Sequence, residues 1–220
     1  MKKLTLFVSA VLFCSISSFS LDEGKGGNTE DTPQKHANNA RKAEPFNKTI
    51  SIYRYGDFPI SKAQKLEKQL KVYYPQVKLK KEVLALPTKH YNKERNRYRG
   101  TGLIEEMSKH RNGDALIGLT NNMIFQPNEL SSTYGIMGTS ILGEYKCIVS
   151  SRLPTSGKEQ TEENLIKLAL HELGHAFGLN HCPNQHCYMV DAEHKMKFPQ
   201  TTGFCESCKS KLNANGWTIK

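Results

Sequence analysis

Apolar and polar positions alternate in blocks after residue 48, and these blocks predict strands and helices in turn. Five stretches carry the β-branched, aromatic or continuously apolar pattern of strands, namely residues 49–55, 77–86, 115–120, 133–140 and 146–152. Residues 121–131 are predicted to form a loop. The first two-thirds of the domain is therefore predicted to contain a sheet.

Three stretches predict helices from apolar spacing and capping signals, namely residues 62–73, 95–110 and 161–177. Ser61 is a candidate N-cap for the first helix, while two glycines weaken the second. Thr161 is a candidate N-cap for the third helix. Glu162 and Glu163 follow in its first turn, where acidic side chains suit the positive end of the helix dipole.

Little regular structure is predicted after Gly178, in a tail that carries four cysteines. This order of elements predicts a mixed α/β (α+β) fold with a mixed sheet, one long helix and a compact C-terminal part. The tail offers few apolar periodic positions, so we expect something other than a hydrophobic core to staple it.

The N-terminus predicts a signal peptide over residues 1–20. Lys2 and Lys3 precede a short apolar run at residues 4–13, and Ser18 and Ser20 are small residues placed as at a cleavage site. A buried first strand or helix is the alternative. We expect an exported protein, periplasmic or secreted, whose mature chain starts near residue 21.

Cys14 lies inside this apolar segment and raises a second hypothesis, a lipid anchor. The bulky Phe13 precedes it where lipidation signals normally have a small residue. Residues 21–47 are polar with few apolar groups, which predicts a disordered spacer. The folded domain is therefore predicted at residues 48–220.

The strongest chemical motif is His171-Glu172-Leu173-Gly174-His175 in the third predicted helix. Positions i and i+4 share one helix face, so the two imidazoles can bind one zinc ion, with Glu172 beside them. A solvated helix face is the alternative. The apolar residues before the motif favour the metal, because buried histidines need partners.

Gly178 and His181 extend the motif. Glycine adopts a positive φ without steric cost, so Gly178 can end the helix and turn the chain back. His181 would then complete three imidazole ligands with an open position, the arrangement of a catalytic zinc. The alternative is a capped helix followed by a surface His181. Met189 falls where metzincins carry a methionine turn beneath the metal.

Four cysteines follow, and the last two form a C-x-x-C pair: Cys182, Cys187, Cys205 and Cys208. Four thiolates suit a tetrahedral structural zinc. Two disulfides are the rival hypothesis, favoured by export, although the C-x-x-C pair is too close for an easy structural disulfide. His186 could substitute as a ligand. Cys147, in a predicted buried strand, is most simply a core residue.

The order of these histidines, Met189 and the four cysteines resembles the archaemetzincins over residues 171–208, and more loosely over 48–220. The resemblance implies a metzincin-like zincin domain that binds two zinc ions, one catalytic and one structural, and hydrolyses peptide or protein substrates. By the same analogy, the predicted strand at 133–140 would line the cleft. An extended peptide could pair with its edge.

The implied chemistry is hydrolysis by a water that Glu172 deprotonates as general base. Endopeptidase and aminopeptidase action both fit this set of residues. A zinc-binding protein without proteolysis is the alternative function. The net charge of +10 comes from scattered lysines and predicts a solvated face. A nucleic-acid binder using the cysteine tail is the third hypothesis, which no nucleic-acid motif favours.

Overall fold

The computed structural model describes residues 48–110, 114–127, 134–191 and 198–220. All of these belong to one unit, Lys42–Lys220. The predicted signal peptide, Cys14 and the predicted spacer lie outside the described residues. Among the helices that are described, none combines the length and the apolar character needed to span a membrane.

Nine strands and four α-helices make up the described fold. The strands are β1 Ile50–Tyr55, β2 Val77–Leu84, β3 Tyr91–Asn92, β4 Arg97–Arg99, β5 Ala115–Thr120, β6 Ile124–Gln126, β7 Tyr134–Ile136, β8 Gly138–Ile141 and β9 Lys146–Ser150. The helices are α1 Ile60–Leu70, α2 Gly100–Ser108, α3 Glu162–Ala176 and α4 Glu206–Asn213.

A five-stranded sheet with the order β2-β1-β5-β9-β8 forms the centre. Its strands pair in parallel except β8, which lies antiparallel to β9 at one edge. A smaller sheet has the order β3-β4-β6-β7. Strand β5 is buried along its whole length, which explains its unbroken apolar sequence, since both faces of a central parallel strand are covered.

Two apolar cores cover the two faces of the large sheet. Alternate residues of a strand point to opposite faces, so Ile117 and Cys147 join the core with α1 and α3, while Leu116 and Ile148 join the core with α2. The C-terminal part also enters the larger core. Trp217 packs against Phe177, with ring centroids 5.3 Å apart.

The mixed α/β fold is confirmed, with several differences in its elements. The predicted helix at 95–110 is wrong at its start, because residues 97–99 form β4, paired with β3 and β6. The predicted loop at 121–131 contains β6. The helix predicted from residue 62 begins at Ile60, after Pro59, so Ser61 lies inside the helix and is not its N-cap. Helix α4 was not predicted, and the C-terminal part has core contacts that its sequence did not indicate.

The single strand predicted at 133–140 is also wrong. Its described residues form two short strands, β7 in the small sheet and β8 in the large one. Met137 lies between them, and its carbonyl accepts a hydrogen bond from the Ser150 N–H at 2.7 Å. The chain therefore passes from the small sheet to the large sheet within one residue. Strand pairing, and not local propensity, decides where this change occurs.

Candidate active site and cysteine cluster

Helix α3 carries the histidine motif and is fixed at both ends. At its start, the Thr161 hydroxyl accepts a hydrogen bond from the Asn164 N–H at 3.2 Å, the predicted N-cap. At its end, the carbonyls of His175 and Ala176 accept hydrogen bonds from the N–H groups of Gly143 at 3.0 Å and Tyr145 at 2.9 Å. The turn between β8 and β9 therefore holds the helix against the sheet edge.

His171 and His175 are oriented by two backbone carbonyls. His171 Nδ1 lies 2.7 Å from the Tyr188 carbonyl oxygen, and His175 Nδ1 lies 2.6 Å from that of Leu179. A carbonyl only accepts, so each Nδ1 is the protonated nitrogen. Each neutral ring then has its lone pair on Nε2, and the two Nε2 atoms lie 3.1 Å apart.

These two lone pairs would repel each other without a cation. Burial lowers the pKa of His171 to about 4, and it also lowers the pKa of His175, so both rings are neutral at pH 7. Two nitrogens bound to one tetrahedral zinc at about 2.0–2.1 Å are about 3.4 Å apart. The observed separation therefore fits a zinc ion bound by both rings.

His181 is brought back to this pair by a sharp turn. Gly178 has a φ of +91°, and its N–H donates to the His175 carbonyl at 2.8 Å. The ring centroid of His181 lies 4.8 Å from that of His175 and 5.5 Å from that of His171. Ligand atoms of the three histidines all lie within 4.8 Å of one another.

Glu172 is buried beside the histidines, with 6% of its surface exposed. Its carboxyl group lies against β8, where a Cβ added to Gly138 would be 2.7 Å from Glu172 Oε1. Burial raises the pKa of Glu172 to about 8, and a hydrogen bond from the Ser140 side chain opposes this rise. The carboxyl group is thus close to the three imidazoles and adjacent to the sheet edge.

Met189 packs beneath the histidine helix. It is fully buried, and a Cβ on Gly174 would overlap its sulfur atom. Only a glycine in the middle of the helix permits this approach. The preceding residue, Tyr188, supplies the carbonyl that holds His171. The structure therefore places Met189 under the histidine cluster, where a methionine turn is expected.

The four C-terminal cysteines form a second cluster. Their sulfur atoms lie within 4.8 Å of one another, and the Sγ atoms of Cys182 and Cys205 are 3.6 Å apart. A disulfide would need about 2.05 Å, and every cysteine among the described residues is a free thiol. Four sulfurs around a tetrahedral zinc at about 2.3 Å are about 3.8 Å apart.

Backbone N–H groups complete the surroundings of this cluster. The N–H groups of Met189 and Cys205 each lie 3.4 Å from Cys187 Sγ, as donors that would stabilise a thiolate. Cys205 is the N-cap residue of α4. The exposed His186 is outside the four-sulfur set, and its Nδ1 lies 3.0 Å from the Gln200 carbonyl oxygen.

One short segment joins the two clusters. His181 and Cys182 are neighbours in the chain, so adjacent residues enter different clusters. The Cys182 N–H donates to the Met189 carbonyl at 2.7 Å, and the Tyr188 N–H donates to the Gly203 carbonyl at 2.8 Å. Residues 181–190 therefore contribute side chains or backbone contacts to both clusters.

Sequence reasoning missed Gly138 and Ser140. Both fall inside the strand predicted at 133–140, but nothing in their local pattern shows that they face Glu172. The backbone carbonyls of Leu179 and Tyr188 were also missed. Every residue has a backbone carbonyl, so the sequence does not indicate which of them contacts a histidine. The assignment of Cys147 to the core agrees with its complete burial in β9.

A helix with two imidazoles on one face, a third imidazole on a returning loop and a buried carboxyl group beside them is typical of zinc-dependent hydrolases. A model of Peptidase family M54 matches residues 53–214 of this chain. An archaemetzincin of Methanopyrus kandleri is 29% identical over 153 residues, which cover 69% of this chain and 86% of the relative.

Solved structures show the same likeness. The crystal structure of an archaemetzincin from Methanopyrus kandleri has a TM-score of 0.64 and 25% identity, covering 78% of this chain and 97% of its own. That of an archaemetzincin from Archaeoglobus fulgidus, complexed with malonate, has a TM-score of 0.61 and 25% identity, covering 74% and 99%. The chain therefore belongs to peptidase family M54, and the resemblance to archaemetzincins is confirmed. It is a zinc metallopeptidase.

Proposed function

We propose that His171, His175 and His181 hold the catalytic zinc and that Glu172 is the general base of peptide-bond hydrolysis. The observation that carries this proposal is the pair of Nε2 lone pairs, 3.1 Å apart, in two rings whose Nδ1 atoms are committed to carbonyls. Zinc, when bound, supplies the Lewis acidity that favours attack of water on an amide carbonyl.

Glu172 moves the proton in this mechanism. Its carboxylate accepts a proton from the attacking water and passes it to the leaving amine. Contact with Gly138 and Ser140 keeps the carboxylate at the edge of the sheet. Strand β8 is the edge strand of the large sheet, so an extended peptide substrate can pair with it and present its scissile bond to Glu172.

We infer that Cys182, Cys187, Cys205 and Cys208 hold a second, structural zinc, which gives two zinc ions per chain. The separation of 3.6 Å between two of the sulfur atoms supports this inference, as do the two N–H groups directed at Cys187 Sγ. A closed site with four protein ligands has no position for substrate, so its contribution is to stability.

A matched pair of variants tests the catalytic proposal. Glu172→Gln keeps the shape of the side chain, and we expect it to retain zinc while hydrolysis of a fluorogenic peptide falls by about 10² to 10⁴-fold. Glu162→Gln, at the exposed start of the same helix, should behave as wild type. Wild-type turnover by Glu172→Gln would contradict the assignment of the base.

We also propose that the protein is exported, periplasmic or secreted, with a peptide or protein as its substrate. The support is the order of Lys2 and Lys3, the apolar run at residues 4–13 and the small residues at 18 and 20. Mass spectrometry of the protein from fractionated cells should give a mature chain that starts near residue 21. An intact Met1 in the cytoplasmic fraction would contradict export, and an acylated Cys14 would replace cleavage by lipid anchoring.

A further inference from the structure

Strand β8 presents its two faces to different helices. Thr139 lies against α2, because a Cβ added to Gly100 would be 2.7 Å from Thr139 Cγ2. Ile141 packs against the core that includes α2. Alternate residues face the opposite side, so Gly138 and Ser140 face α3 and the carboxyl group of Glu172.

This face of β8 and β9 offers Glu172 few donors. Gly138 has no side chain, and its absent Cβ makes the room that the carboxyl group occupies. Cys147 lies directly across the ladder from Ser140, fully buried, and a thiol is a weak donor. Ser140 is therefore the strong side-chain donor on this face, on the same side of β8 as Gly138, which lies against the Glu172 carboxyl group.

A single hydroxyl donates one proton and so engages one carboxylate oxygen. The other oxygen of Glu172 then stays free for proton transfer. The carboxylate of a glutamate rotates about its side-chain bonds unless a partner fixes it. A general base in the wrong orientation lowers the reaction rate even when it remains in the site. We propose that Ser140 is the positioning residue that fixes the orientation of the Glu172 carboxylate for proton transfer. This proposal rests on the assignment of Glu172 as the general base.

Substitutions at Ser140 can separate the effect of the hydroxyl group from the effect of side-chain shape. Thr and Val have the same shape and differ only in the hydroxyl group, and both suit a strand. We expect Ser140→Ala and Ser140→Val to lower kcat by about tenfold or more, with KM and zinc content near wild type. Ser140→Thr should keep kcat within about twofold. Thr139→Val, on the opposite face of β8, is the matched control and should change nothing.

A second readout needs neither zinc nor turnover. In the metal-free protein, the infrared carboxyl band that Glu172→Gln removes belongs to Glu172. We expect this band to shift in Ser140→Ala and Ser140→Val and to stay in place in Ser140→Thr. Of these three variants, only Ser140→Thr keeps a hydroxyl group that can donate the hydrogen bond.

Double variants separate this inference from the proposed function. If Ser140 acts through Glu172, then Ser140→Ala adds no loss to Glu172→Gln. An active Glu172→Gln would overturn the base assignment and this inference with it. An inactive Glu172→Gln beside a fully active Ser140→Ala would overturn the positioning role alone. Equal losses in Ser140→Thr and Ser140→Val would also overturn it, since shape rather than the hydroxyl would then matter.

Discussion

The histidine cluster and the cysteine cluster are built in different ways. Two of the three histidines lie on one helix, whose ends are capped and whose buried face belongs to the main core. The four cysteines are spread over residues 182–208, where α4, of 8 residues, is the longest regular element described. A helix can fix two ligands before any metal binds, whereas loops need the metal to hold them together.

Through the segment at 181–190, the histidine cluster depends on the cysteine cluster more than the cysteine cluster depends on the histidine cluster. Tyr188 and Met189 support the histidines, and they directly follow Cys187 in the chain. The Met189 carbonyl accepts a hydrogen bond from the Cys182 N–H, and the Met189 N–H lies 3.4 Å from Cys187 Sγ. Loss of the cysteine site should therefore disturb the histidine site. The reverse is not expected, because the helix keeps its caps and core contacts without the catalytic metal.

The largest effect is expected from removal of a proposed histidine ligand. His175→Ala should lower the zinc content from two ions per chain to one and reduce peptide hydrolysis by at least about a thousandfold, since a catalytic metal contributes several kcal/mol. Elemental analysis and a fluorogenic assay measure both quantities. His186→Ala, an exposed histidine near the cysteines, is the control. One zinc ion in wild type and none in His175→Ala would instead indicate disulfides or free thiols at the cysteine cluster.

Removal of a proposed cysteine ligand should affect both clusters. We expect Cys205→Ser to lose the structural zinc, to lower Tm by more than about 10 °C and to lose catalytic zinc as well, because residues 181–190 lose their anchor. Calorimetry and metal analysis test this. Ser207→Ala, between the two cysteines of the C-x-x-C pair, is the control. If Cys205→Ser kept a full equivalent of catalytic zinc, the expected dependence of the histidine cluster on the cysteine cluster would be wrong.

Protonation of the histidine cluster at acid pH should lower the stability of the metal-free protein. The pKa of His171 is about 4 in the folded chain and about 6.5 in the unfolded chain. The unfolded chain therefore binds the proton more strongly, and stability present above pH 6.5 is lost as the pH falls towards 4. The lowered pKa of His171 should contribute a loss of about 1–3 kcal/mol between pH 7 and pH 4. The raised pKa of Glu172 acts in the opposite direction, so the His171 contribution is measured as the difference in urea unfolding between wild type and His171→Gln at each pH. A difference that does not change with pH would contradict the role of His171.

The smallest effect concerns the contact between Met189 and α3. Gly174→Ala places a Cβ on the Met189 sulfur and should cost about 1–3 kcal/mol, as overpacking of a core does. Gly203→Ala, where a Cβ meets nothing within 4 Å, should stay within about 0.5 kcal/mol of wild type. Denaturant unfolding compares the two, and equal stabilities would show that the helix and the methionine turn adjust freely.

Much of the site could be predicted because its residues are close together in the chain. Helical spacing places His171 and His175 on one face, Gly178 supplies the turn before His181, and Thr161 supplies the cap. The element boundaries upstream were less predictable. Residues 97–99 follow a helix-like pattern, but pairing with β3 and β6 makes them a strand.

The sequence by itself determined the family, the mixed α/β fold, the helix that carries the histidines and the two sets of metal-binding residue types, since each depends on composition, periodicity or short spacing. Only the tertiary structure decided that residues 134–141 divide between two sheets and that Gly138 and Ser140 meet Glu172. It also decided that the Tyr188 carbonyl orients His171. These contacts join residues 17 or more positions apart. The packing of α3 against the sheet edge and against residues 181–190 brings them together, a global property that no local pattern encodes.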